Sequence, residues 1–212
     1  MEKKKKNHNK LIITIAVILG LSIWAWDQLI VDHIIPKRFG VVEQGAICRS
    51  GRMSHRLIKG VLEENNIKVI ITLEGLKDNE RNQQAEIKAA KELGIEMHRF
   101  PLRGNGTGDV ENYISAVATL RQARLDNKPV LVHCAVGTQR TGGVIATYHA
   151  LFDNWTPQQI FAEMTKYDFI PRKNEELIPY LNNNIEQIAN ALKKKGLLKE
   201  VPDPLPVFID SK

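Results

Sequence analysis

Val130-Leu131-Val132-His133-Cys134-Ala135-Val136-Gly137-Thr138-Gln139-Arg140-Thr141-Gly142 joins an apolar strand candidate, Val130 to Val132, to a helix candidate, Thr141 to Phe152, through a short loop. A strand that turns tightly into a helix aims the loop's backbone N–H groups and the positive end of the helix dipole at one spot. That spot suits a tetrahedral oxyanion such as phosphate. Cys134 stands in it, and the guanidinium of Arg140 follows after five intervening residues. Both favour the thiolate, so the Cys134 thiol is expected well below its ordinary pKa and is a nucleophile at neutral pH. A cysteine and an arginine at this spacing arise often by chance. The preceding strand and the flanking His133, Gly137, Thr141 and Gly142 make the signal specific.

Outward from the loop, period-two and apolar runs predict strands at Ala46 to Arg49, Lys68 to Leu73, Glu96 to Phe100 and Val130 to His133. Helical patterns lie between them. Ser54 caps a predicted helix to Asn65 with Leu57, Ile58, Val61 and Leu62 on one face. Asp78 to Leu93 is a mostly polar helix ended by Gly94, and Asp109 caps another carrying Tyr113, Ile114, Val117 and Leu120. Thr141 to Phe152, Thr156 to Lys166 and a stretch from about Asn174 to Lys195 complete the set, with Pro179 expected to kink or restart the last. Strands alternating with helices, then a run of helices, predict an α/β fold with a central, mostly parallel sheet flanked by helices. The expected organisation is a basic tail at 1–10, a membrane anchor at 11–31, a catalytic domain at 40–196 and an extended, proline-containing tail at 197–212.

The string from His133 to Gly142 resembles the signature loop of cysteine-dependent protein tyrosine and dual-specificity phosphatases. The resemblance implies attack by Cys134 on a phosphomonoester and a phosphocysteine intermediate held by Ala135, Val136, Gly137, Thr138, Gln139 and Arg140. Thr141 matches the hydroxyl that assists departure of the thiolate, and His133 the histidine that orients the cysteine. It implies neither a metal nor an organic cofactor. The match runs over roughly Gly45 to Leu192 and is similar to the compact dual-specificity type. Cys48-Arg49-Ser50-Gly51 resembles the aromatic-Arg-Ser opening strand of atypical bacterial and fungal-plant members, with Cys48 in place of the aromatic. Arg49 there either supports the active-site face or is a strand-end charge paired with a carboxylate. The family's general acid comes from an upstream loop whose start Phe100-Pro101-Leu102 resembles, yet Arg103 and Gly104 stand where the aspartate is expected. Asp109 is the next candidate, with helix capping as its rival role.

The net charge of +6 is a mild excess that suits anionic substrates and falls short of a nucleic-acid-binding stripe. Between Cys134 and Arg140 there is no lysine or histidine, which favours a substrate with one phosphate, either a phosphorylated protein of the phosphotyrosine type or a small phosphomonoester. Lys166, Arg172 and Lys173 are candidate rim charges. Alternatives are a phosphorylated lipid or inositol phosphate, or a catalytically weak phosphate-binding module. Rhodanese-type sulfurtransferases and arsenate reductases also use cysteine loops, but Thr141 after the arginine and the late position of the loop argue against both. Two cysteines, Cys48 and Cys134, leave one bridge open. Leu11 to Val31 is apolar enough to predict a single-pass anchor, with Trp24 and Trp26 at an interface; a secretory signal peptide is the alternative, disfavoured because Ser22 to Trp26 is too bulky for a cleavage site. Lys3, Lys4, Lys5 and Lys6 before it place the catalytic domain on the extracytoplasmic side.

Overall fold

A computed structural model describes residues 13–20, 22 and 34–209. Its elements, in chain order, are β1 (Gly40–Glu43), β2 (Ile47–Gly51), α1 (Ile58–Glu64), β3 (Val69–Thr72), α2 (Arg81–Leu93) and β4 (Glu96–Arg99). There follow α3 (Val110–Leu125), β5 (Val130–Cys134), α4 (Gln139–Phe152), α5 (Pro157–Lys166), a 3₁₀ turn (Pro171–Lys173) and α6 (Leu177–Lys194). The five strands form one sheet in the order β1-β2-β5-β3-β4, with β1 antiparallel to β2 and every other pair parallel.

Alternation along the strands builds two cores. Val69 and Ile71 of β3 and Val130, Val132 and Cys134 of β5 pack under α3, α4 and α6, whereas Ile70 and Leu131 face α1 and α2. β5 lies between two parallel neighbours and is buried along its whole length, as its unbroken apolar run requires. Cys134 therefore emerges at the carboxyl end of the central strand, where open α/β sheets bind ligands.

Local chemistry sets the helix ends. Gly94 stops α2 in the left-handed conformation, and Thr156 with Gln159 forms a capping box at α5. Several boundaries differ from expectation. Ser54 does not cap α1: residues 55–57 form a turn, the amides of Leu57 and Ile58 bond the Ser54 carbonyl, and the helix starts at Ile58. Pro179 neither kinks nor restarts α6, because that helix begins at Leu177 and the proline falls in its first turn, where an N–H has no intrahelical partner. β1 has too little alternation to be read locally and is created by pairing with β2. In the tail, Phe208 is buried, and Asn182 of α6 both donates to its carbonyl and accepts from its amide, each at 2.8 Å.

The expected membrane anchor is corrected. Among the described residues no helix is long and apolar enough to cross a membrane. Residues 11, 12, 21 and 23–31, including Trp24 and Trp26, and the basic tail at 1–10 lie outside the described residues. The single-pass placement and the extracytoplasmic side inferred from that anchor fall with it.

Candidate active site

β5 delivers Cys134, the four residues Ala135 to Thr138 turn the chain, and α4 starts at Gln139 with its amino end over the sulfur. Three of the loop's carbonyls point outward, onto donors from β2, the residue just after it and the segment before β1. The oxygen of Ala135 accepts from the Arg52 amide at 3.2 Å, that of Val136 from Arg38 Nη1 at 3.1 Å and that of Gly137 from Arg49 Nη2 at 2.5 Å. In a trans peptide the C=O and the following N–H point in opposite directions. Outward carbonyls at Ala135, Val136 and Gly137 thus turn the amides of Val136, Gly137 and Thr138 into the loop. The Gly137 amide, donating to Cys134 Sγ at 3.1 Å, is where this is seen directly.

Two glycines permit the close approach. A Cβ on Gly137 would stand 2.4 Å from the Gly51 amide nitrogen, and one on Gly51 would stand 2.8 Å from the Val136 oxygen. Gly137 also has φ +84°, a left-handed conformation that costs other residues free energy.

Cys134 is 1 % exposed, and burial by itself would push the thiol pKa up. The Arg140 charge opposes this most strongly, joined by the nearby Thr141 hydroxyl and by the Gly137 and Thr141 amides, and the thiol ends below its ordinary value. Thr141 is fully buried, and its hydroxyl makes no aligned hydrogen bond among the described residues. Arg140 is held at the loop's edge by Nη1 donating to the Leu73 carbonyl at 3.1 Å. Gln139 bonds Asn174, tying the loop to the segment before α6.

Asp109 is the N-cap of α3: its Oδ1 accepts from the Glu111 amide at 3.0 Å, and the side chain is exposed. The stretch before it is a fastened turn. Arg103 N bonds Thr107 O at 2.8 Å, the buried Tyr113 hydroxyl donates to Gly106 O at 2.7 Å, and Gly106 lies against Gln139.

Of the residues behind the loop, sequence reasoning named Arg49 and left its role open between supporting the loop and pairing with a carboxylate; it does both, donating to Gly137 O and pairing with Glu163 of α5 at 2.5 Å, with its guanidinium 4.0 Å over the Tyr167 ring. The others were missed. Arg52 forms an ion pair with the buried Glu74. Glu86 of α2 lies 2.9 Å from His133. One signal for Glu86 was available: Gln83, Glu86, Ala89 and Ala90 form the buried stripe of α2 at helical spacing. Cys48 faces the α1–α2 core and pairs in register with Leu131, three residues before Cys134. Three strand residues span about 10 Å, beyond the reach of a disulfide. Among the described residues Glu43, His149 and Asp153 bring potential metal-ligating atoms within 4.8 Å of one another. They lie at the far end of α4, where Asp153 already holds His149 Nδ1 at 2.7 Å and Arg124 holds Glu43 at 2.6 Å.

The profile of a family described as polymorphic toxin system, DSP-PTPase phosphatase matches residues 30–152, more than half of the chain. No curated protein sequence gives a significant match. Among solved structures, the catalytic core of the PP-IP phosphatase SIW14 from S. cerevisiae superposes with a TM-score of 0.60 at 24 % identity, covering 78 % of this chain and 96 % of that one. TpbA of P. aeruginosa gives 0.57 at 19 %, covering 74 % and 91 %, and PTPMT1 gives 0.54 at 18 %, covering 74 % and 99 %. At these identities the likeness is one of fold.

Proposed function

Because this chain belongs to the family of polymorphic toxin system DSP-PTPase phosphatases, it is a phosphatase of the dual-specificity and tyrosine type, and we propose that it hydrolyses singly phosphorylated monoesters through a phosphocysteine on Cys134. The observation that carries this is the inward set of loop amides around a buried, pKa-lowered sulfur. Cys134 Sγ attacks phosphorus while the ester oxygen leaves with the electron pair of the broken P–O bond and takes up a proton. The phosphoryl oxygens rest on the amides of the loop from Ala135 to Gln139 and on the Arg140 fork. Water then cleaves the S–P bond, and the Thr141 hydroxyl stabilises the thiolate that departs.

Asp109 is assigned as the proton donor; the cap uses Oδ1, and Oδ2 takes no part in it. That cap bond also favours a second reading, in which turnover is acid-independent and confined to good leaving groups. A substrate with one phosphate is supported by the absence of lysine and histidine between Cys134 and Arg140. It is supported too by the nearby cavity of about 360 Å³, where Arg172 and Lys173 are offset by Glu175 and Glu176. Solved relatives include TpbA in complex with pTyr and PTPMT1 in complex with PI(5)P, so aryl and lipid phosphates are the two classes to compare.

The test is hydrolysis of a chromogenic aryl phosphate by wild type and Cys134→Ser, with phosphate or vanadate binding measured on both. The serine variant is expected to lose turnover and keep binding, since amides and Arg140 remain. Turnover near the wild-type rate in that variant would end the covalent reading.

A further inference from the structure

Glu86 is 4 % exposed on a helix whose outer face is polar, and its Oε1 lies 2.9 Å from Nε2 of His133, itself 2 % exposed. Strand alternation explains the meeting. Val132 and Cys134 face the α3–α4–α6 core and Leu131 faces α1 and α2, so His133 takes the α2 side while its neighbour takes the other. Gln83, one turn earlier on α2, donates to the Gly75 carbonyl at 3.1 Å and accepts from the Lys77 amide at 2.8 Å, docking the helix with Glu86 toward the end of β5. The 2.9 Å contact is not aligned as a hydrogen bond, and neither ring nitrogen of His133 has an aligned partner elsewhere among the described residues.

We propose that Glu86 is a positioning residue for the phosphatase chemistry: its carboxylate keeps His133 an imidazolium behind Cys134, giving the thiolate a second cationic neighbour besides Arg140. The inference rests on Cys134 being the nucleophile. The charged groups acting on His133 are Glu86 from α2, Glu74 from the segment after β3, and the Cys134 sulfur at the end of β5. Glu74 is already matched by Arg52. The register partners of His133, Ser50 on β2 and Thr72 on β3, carry no charge. Burial by itself lowers the histidine pKa, but the Glu86 carboxylate, with lesser help from Glu74 and the Cys134 sulfur, outweighs it and leaves it raised. A raised imidazole stabilises the fold fully below its unfolded pKa and loses that contribution as pH rises through the folded value. The pair therefore acts on the acid and neutral side, where a thiolate most needs support.

Two readouts independent of turnover test this. Imidazole nitrogen chemical shifts of uniformly labelled wild-type protein are expected to show both His133 nitrogens protonated at about pH 7.5, above the ordinary histidine range. Alkylation of Cys134 by iodoacetamide, mapped by peptide to exclude Cys48, is followed against pH. In Glu86→Gln its midpoint is expected to rise by about one unit, with alkylation about tenfold slower on the acid side and unchanged well above the midpoint. His133→Asn is expected to give the same shift, and the double variant no more than either. A neutral His133 in wild type, an unmoved midpoint in folded Glu86→Gln, or additive shifts would each overturn the proposal. If Glu86→Gln does not fold, the wild-type nitrogen shifts decide alone. Failure of the nucleophile assignment appears separately, as turnover retained by Cys134→Ser.

Discussion

Replacing Arg49 by methionine separates what the buried guanidinium does for stability from what it does for the loop. Arg49 is fully buried, and its partner Glu163 is 9 % exposed at 2.5 Å. Removing one member of such a pair strands the other charge and costs about 3–5 kcal/mol, a figure that already contains the contact with the Tyr167 ring. With a urea m-value of about 2 kcal/mol/M the unfolding midpoint falls by about 2 M. In Arg49→Met/Glu163→Leu no charge is stranded, and most of the stability returns. Phosphate binding does not return. The Gly137 oxygen has lost its donor in both variants, and the 137–138 peptide is free to swing its amide out of the cradle. One hydrogen bond to a charged group lost in this way is worth about 1.5 kcal/mol, or about tenfold in affinity. Urea unfolding followed by circular dichroism and phosphate titration by calorimetry read the two effects on the same samples. A double variant that is stable and binds phosphate as wild type does would reduce Arg49 to a structural ion pair and refute the positioning argument.

Gly137→Ala must accommodate a Cβ 2.4 Å from the Gly51 nitrogen at φ +84°. The left-handed conformation alone costs about 1–2 kcal/mol, so both the melting temperature and the stabilisation of the fold by added phosphate should drop, and an unchanged pair of values would contradict the loop geometry. Arg140→Lys should impair kcat/KM nearly as much as Arg140→Ala, because an ammonium cannot grip two phosphoryl oxygens; a lysine variant within about threefold of wild type, roughly 0.65 kcal/mol, would speak against the fork. Asp109→Asn should leave stability unchanged, since asparagine caps as well as aspartate. If Asp109 is the acid, the variant slows an alkyl phosphate about 10²-fold while sparing an activated aryl phosphate, and equal small effects on both would remove it from the catalytic set.

Strand β5, the loop and helix α4 were legible because each rests on signals a few residues long: an apolar run, a Gly-containing turn, a helical stripe. The alternation of β3, β4 and β5 with helices was legible for the same reason. β1 was not, since a four-residue strand at a sheet edge acquires its identity from its partner β2. The Gly104 to Gly108 stretch looks mobile by composition, yet Tyr113 and Asn105 fasten it through bonds that composition does not announce.

By itself the sequence marked the proposed nucleophile, its cradle and the class of anion they suit, because Cys134, Gly137, Arg140 and Thr141 lie within one strand-to-helix turn of chain. Only the tertiary structure decided what holds that cradle open and what lies behind it. Arg49 meets Glu163 across 114 residues, and Glu86 meets His133 through the packing of α2 on the sheet. A buried charge takes whichever partner the fold brings within a few ångströms, and chain distance carries no record of that choice. Cys48 and Cys134 show the converse. Two cysteines admit a bridge on paper, and a parallel register that sets them about 10 Å apart on different faces of the sheet removes it.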